Sequence, residues 1–245
     1  MNELLKTAIE AHGGLQRWEK VKAIHLEASI TGAIWHVKSR PDILKHVEVI
    51  AETQAERLTM TFPGENKQTI FEPRLVTIDI GGEDPALYNN PVNSFNGHTL
   101  QTPWQDVHVA YFSGEALWTY LNIPFIYAYP GFETEEIAPW QENGQTWRRL
   151  KVTFPDSIAT HCREQISYFG PDGLMRRHDY AVNILGGATA AKYSSNYRNI
   201  DGIIFPTSHR VYAYQGDHDV QKDTVLVAID FPLIALFDQS KKQDY

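Results

Sequence analysis

Four side chains able to grip an anion or move a proton fall at alternate positions on either side of one turn. They are His161, Arg163, His178 and Tyr180, and the turn is "GPDG", Gly170 to Gly173. If the turn closes a hairpin by pairing Phe169 with Leu174, antiparallel counting sets Ser167 opposite Arg176, Gln165 opposite His178 and Arg163 opposite Tyr180. His161 continues the same face. An arginine there would hold a ligand carboxylate in two-point fashion, and a histidine would shuttle a proton near neutral pH. The other face would carry Cys162, Glu164, Ile166, Tyr168, Met175, Arg177 and Asp179, and a slip of one residue exchanges the two. Polar strand faces commonly meet water, so the plainer expectation is a solvated outer face with ordinary cross-strand pairs.

Other chemistry is thinly represented. His178 and Asp179 are adjacent, as are His161 and Cys162, so on a strand each pair points apart. No G-x-S-x-G elbow occurs. The 10 histidines lack close spacing, and the 1 cysteine excludes an internal disulfide and a cysteine-rich zinc centre. No metal and no cofactor is expected. "GDHDV", Gly216 to Val220, reads as a solvated hairpin tip rather than a ligand loop. Aromatic residues make up 12% of the chain. Trp35, Tyr111, Trp118, Tyr127, Trp140 and Trp147 are candidates to wall a ligand cavity, with plain core packing as the alternative.

These side chains need a scaffold, and 245 residues at 42% hydrophobic content suffice for one sizeable core, residues 1–245 as a single domain. The formal charge of −8 and the lack of any basic run longer than a pair speak against nucleic-acid binding. No stretch approaches the length of a bilayer span, so no integral membrane segment is expected. Glu3, Lys6 and Glu10 interrupt any leader-like apolar run, which points to a cytoplasmic protein.

Asn2 to His12 has helical apolar spacing with Asn2 as cap, and "HGGL" ends it. A phosphate cradle wants its glycines between a strand and a helix. Here Gly13 and Gly14 precede one more turn, Leu15 to Lys20, and read as a corner in the chain. Trp18 should anchor that turn to the core. From Ala23 to Thr31 apolar and polar residues alternate, the mark of a half-buried strand. Short extended pieces follow, beginning with "AIWHVKS", then a long surface loop over residues 83–103. A second helix, "SGEALWTYL", has Ser113 as its cap and ends before Pro124. The remainder reads as strands, among them "IATHCREQISYF", with an Asp201–Gly202 hairpin turn.

The opening "HGGL…W" followed by a strand ending in glycine resembles the start of the outer-membrane lipoprotein carrier (LolA/LolB-like) superfamily. So does "YRNIDGIIFPTSHRVY", a hairpin of the form Asp-Gly-apolar-apolar-Pro-Thr. The middle, "PGFETEEIAPWQENGQTWRRLKVTF" included, is similar to a bacterial family of unassigned proteins within that fold group. The resemblance implies a mainly β protein: a strongly curved antiparallel sheet, an incomplete barrel, with an N-terminal helix and a short mid-chain helix on its concave side. It implies an apolar cavity that binds acyl chains or other apolar molecules. The expected function is binding of an apolar or amphipathic small molecule, with His161, Arg163, His178, Tyr180, Trp35, Trp118 and Tyr127 as ligand-binding residues. The alternatives are a cofactor-independent enzyme with a His/Arg/Tyr polar cluster, since one branch of the fold is catalytic, and an interaction module that fills its own cavity.

Overall fold

Between Ala23 and Thr31 burial alternates residue by residue, because successive strand side chains point to opposite faces. The same rule repeats down the chain. The computed structural model describes residues 1–238, so the Lys241–Lys242 pair lies outside the described residues. The strands are β1 (Val21–Thr31), β2 (Val47–Glu52), β3 (Leu58–Phe62), β4 (Lys67–Glu72), β5 (Leu75–Ile80), β6 (Ala86–Asn89), β7 (Glu133–Glu142), β8 (Gln145–Thr153), β9 (Glu164–Phe169), β10 (Met175–Val182), β11 (Ala188–Ile200), β12 (Ile203–Gln215), β13 (Asp219–Gln221) and β14 (Val227–Asp238). The helices are α1 (Glu3–Ala11), α2 (Leu15–Trp18), α3 (Ala33–Val37) and α4 (Asp106–Asn122). One antiparallel sheet runs β6-β5-β4-β3-β2-β1-β14-β12-β11-β10-β9-β8-β7, with β13 beside β12. Its end strands do not pair with each other, so the sheet is an incomplete barrel. Register shifts between β1 and β14 add local twist.

The opening corner and the Asp-Gly hairpin turn out to be neighbours. Asn2 caps α1, its Oδ1 accepting from the Leu5 N–H at 2.8 Å. Gly13 has φ +121°, and a Cβ there would stand 2.3 Å from the Gly202 carbonyl oxygen. The Ile204 N–H donates to the His12 carbonyl at 2.9 Å, and Arg17 Nε donates to the Asp201 carbonyl at 2.6 Å. The glycine corner is therefore the space that the β11–β12 turn occupies. Trp18 is buried, stacks on Phe125 at 4.2 Å, and donates from Nε1 to the Tyr129 hydroxyl.

The sheet wraps α4. Every residue from Val107 to Asn122 is buried. Trp118 Nε1 donates to the Glu52 and Ala55 carbonyls beside β2, Tyr111 meets Phe71 of β4 edge-on, and Tyr120 bonds Tyr180 of β10. A Cβ at Gly114 would fall 2.3 Å from Phe71, so the helix can approach β4 only with glycine there.

Several expectations need correction. The mid-chain helix begins at Asp106 with Gln105 as its cap, not at Ser113, whose hydroxyl donates back to the Val109 carbonyl. A helix buried all round has no polar stripe to mark where it starts. "AIWHV" is the helical turn α3 rather than a strand: the Lys38 N–H donates to the Ile34 carbonyl four residues back at 2.9 Å, and the adjacent Ile34 and Trp35 are both buried. The segment 83–103 holds the edge strand β6, exposed at all four positions, and a 3₁₀ turn at Pro91–Phe95. "IATHCREQISYF" is strand only from Glu164. The hairpin pairs Phe169 with Met175 rather than Leu174, and a bulge between Met175 and Arg177 adds a second residue of shift, so Ser167 comes opposite His178, and an even shift keeps the faces.

Gly13→Ala should lower stability by about 1 kcal/mol or more, since alanine resists positive φ and the turn blocks its methyl group. Trp18→Ala should cost roughly 3–5 kcal/mol. Chemical denaturation midpoints measure both, and an unshifted midpoint for Gly13→Ala would contradict the corner.

Candidate functional site

Where α4 meets the far half of the sheet, the packing is incomplete. A narrow cavity of ≈ 70 Å³ lies between Phe112, Ala116 and Leu117 of α4 and Ile30, Val182, Ala190, Val211 and Ile229 of the sheet, with Ile34 and Trp35 of α3 at one side. Half-buried Leu185, Leu226 and Val227 and exposed Ala188 form its rim. The wall is apolar except for Ser113, Tyr120, His161, Tyr180 and Thr189.

The polar end is built around a carboxylate inside α4. Glu115 is 2% exposed, and its Oε1 pairs with His161 Nδ1 at 2.7 Å. His161 arrives on the irregular segment 155–163, held by the Asn183 N–H donating to its carbonyl at 3.0 Å. Nδ1 is spent on Glu115. Among the described residues Nε2 has no hydrogen-bond partner, and the ring lines the cavity. Tyr180 stacks obliquely on His161 with centroids 4.8 Å apart and shares a 2.5 Å hydrogen bond with the Tyr120 hydroxyl. Burial pushes both phenols up, so both stay neutral donors and acceptors.

Behind this end lies a second, closed polar layer. Tyr127 bonds Ser167, Ser167 bonds His178 Nδ1 at 3.0 Å, and His178 Nε2 bonds Gln165 Oε1 at 2.5 Å. Burial, with the charge of Lys192 adding to it, holds His178 well below the usual imidazole range. A neutral ring that donates from Nε2 accepts at Nδ1, so the tautomer assigned by these partners leaves nothing spare. Lys192 is fully buried on β11, with Nζ 3.3 Å from Ser194 Oγ and 4.2 Å from the Tyr120 ring centre. Burial pulls it down to about 7. Glu56 accepts from the Ala159 N–H at 3.0 Å while its other oxygen has no partner, and burial pushes it up to about 9. Segment 155–163 is thus tied to the interior by Glu56 and Glu115.

Of the seven residues named from sequence, Trp35, His161 and Tyr180 line the cavity. His178 and Tyr127 sit in the closed layer, and Trp118 points toward β2. Arg163 is the correction: its side chain is 62% exposed and pairs with Asp156 at 2.5 Å. Strand geometry ends at Glu164, so the alternation that would have turned Arg163 inward does not reach it. The expectation of a solvated outer face is corrected too. Ser167, His178 and Tyr180 face the interior. The opposite face is also covered, since the β7–β8 ribbon and the hairpin tip enclose Arg177 and Asp179 through Glu142 and His218. Sequence reasoning passed over Glu115, Tyr120, Lys192 and Glu56. A lone acid in the apolar run "SGEALW" was the only trace of Glu115.

No protein-family model matches the chain, and no curated protein matches it in sequence. Solved structures do. A LolA superfamily protein from Nitrosomonas europaea superposes with a TM-score of 0.52 at 10% identity, over 96% of this chain and 92% of its own. A DUF1329 family protein from Desulfovibrio piger gives 0.57 at 11% identity, over 98% and 94%. A structure from Vibrio parahaemolyticus described as an outer-membrane lipoprotein-sorting protein domain gives 0.56 at 7% identity, over 98% and 94%. The chain has a LolA-like fold. These likenesses overturn the cytoplasmic expectation, which rested on a missing leader-like run: a fold neighbour described by its work at the outer membrane removes its ground. Among the described residues no helix is long and apolar enough to cross a membrane.

Glu56 yields a pH prediction. Its folded value is raised from 4.5 to about 9, so its stability contribution is complete below about pH 4.5 and lost as pH climbs toward 9. Glu56→Gln copies the protonated shape. It should raise the unfolding free energy at about pH 8 by on the order of a few kcal/mol, and leave it nearly unchanged at about pH 4, as denaturant titrations at the two pH values would measure. Equal shifts at both values would contradict a protonated, buried Glu56.

Proposed function

We propose that the protein is a binding protein that holds an apolar or amphipathic small molecule in the half-barrel cavity. The observation that carries this reading is an apolar void that a densely packed core would not leave, rimmed by half-buried Leu185, Leu226 and Val227 and ending in a few convergent polar groups. The apolar walls supply affinity by removing ligand surface from water, and the polar end fixes orientation. A LolA-like fold is consistent with this, as one neighbour is described as a lipoprotein-sorting domain. The cluster named for an enzyme does not assemble around the cavity, because Arg163 is outside it and His178 has no free nitrogen.

Ala116 sits on the helical wall, where a larger side chain would take the ligand's place. Ala116→Leu should weaken binding of the uncharged fluorophore N-phenylnaphthylamine by about tenfold while holding or raising the melting temperature, as cavity filling does. Fluorescence titration of both proteins measures it. Failure of the fluorophore to bind the wild type, or equal affinity in the two proteins, would sink the reading.

A further inference from the structure

The charge around the cavity speaks to the class of molecule it takes. No lysine or arginine lines it. The single ionisable cation-former on its wall, His161, is paired at 2.7 Å with the buried Glu115 carboxylate. With the proton on either His161 or Glu115 the pair is neutral; with it on neither, the pair carries a negative charge. Neither state offers a net positive charge to the cavity. The buried lysine packed against the cavity-lining Tyr120 ring, Lys192, does not itself line the cavity and is pulled down by burial toward its neutral form. An ionised carboxylate or phosphate brought here would lose its water and find no counter-charge, which is costly.

Uncharged oxygen groups fare differently. His161 Nε2 faces the cavity as an acceptor when the ring is neutral and as a donor when it is charged. A ligand hydroxyl satisfies either state, because it both donates and accepts; a carbonyl satisfies the second. The Tyr180 hydroxyl beside it is equally ambivalent, already sharing one hydrogen with Tyr120.

Resting on the binding reading above, we infer that the cavity selects an uncharged single-chain amphiphile, whose hydroxyl or carbonyl end bonds His161 Nε2 and Tyr180, and rejects the carboxylate of the same chain length. The apolar rim at Leu185, Leu226 and Val227 then surrounds the tail nearest the mouth.

Displacement of bound N-phenylnaphthylamine from the full chain tests this. Competitors are dodecanol, methyl dodecanoate and dodecanoate, at about pH 8, where a free carboxyl is ionised. The expected order is dodecanol first, the ester next, and dodecanoate at least about tenfold weaker than dodecanol. Two variants locate the effect. His161→Gln should weaken dodecanol binding by a larger factor than it changes the affinity for the fluorophore. Glu115→Gln removes the buried carboxylate that repels an incoming anion at the polar end, so dodecanoate should gain on dodecanol. Dodecanoate displacing as well as dodecanol from the wild type overturns the inference and leaves the binding reading intact. A fluorophore that fails to bind removes both. The wild-type comparison needs no variant to fold.

Discussion

A helix enclosed on every side has no water to solvate the polar groups it carries, and α4 is such a helix. Polar side chains on it are driven to find partners within the protein or to lie against a cavity, though the Thr119 hydroxyl finds none among the described residues. Ser113 turns its hydroxyl back to Val109, Asn122 donates to the Trp118 carbonyl, and Tyr120 reaches across to Tyr180. Glu115 is the most demanding, being a carboxyl 2% exposed, and its solution is His161. That requirement draws segment 155–163 inward and sets the polar end of the cavity.

The open sheet makes the enclosure possible. A closed barrel of this many strands would surround a wide lumen, whereas an open one can curl around a helix and leave a mouth. Its edges are managed: β6 is short, and β7 is rich in glutamate. The far half packs on both faces. Inside stand Ser167, His178 and Lys192; outside, Arg177 is buried among the rings of Trp140, Tyr168 and Tyr193 and bonded through Nε and Nη2 to both oxygens of Asp179. Breaking one partner of such a pair strands the other charge, so the register of β10 against its neighbours is under strong constraint.

Fold neighbours at 7–11% identity superpose over nearly the whole chain. At such identity the likeness is one of fold alone, and in this chain the fold rests on alternation along strands and on glycine where two backbones meet. The contact between Gly13 and the Gly202 carbonyl is one such meeting, and it joins the first corner of the chain to a hairpin almost two hundred residues later.

By itself the sequence determined the local pieces. Asn2 and the helical spacing behind it specified α1, alternation specified β1, and Asp201–Gly202 specified its turn, because each depends on residues within one or two turns of chain. It also placed the faces of β10, since parity survives an even register shift. Tertiary structure decided the rest. The start of α4 was hidden because burial on all sides erases amphipathic contrast, and α3 was misjudged because only packing shows that Ile34 and Trp35 both point inward. Arg163 left the site where its strand ended, and Glu115 entered it from a helix whose acid had no local reason to be buried. A site made by a loop, a helix and a sheet meeting across the sequence is fixed by their packing, which no local period encodes.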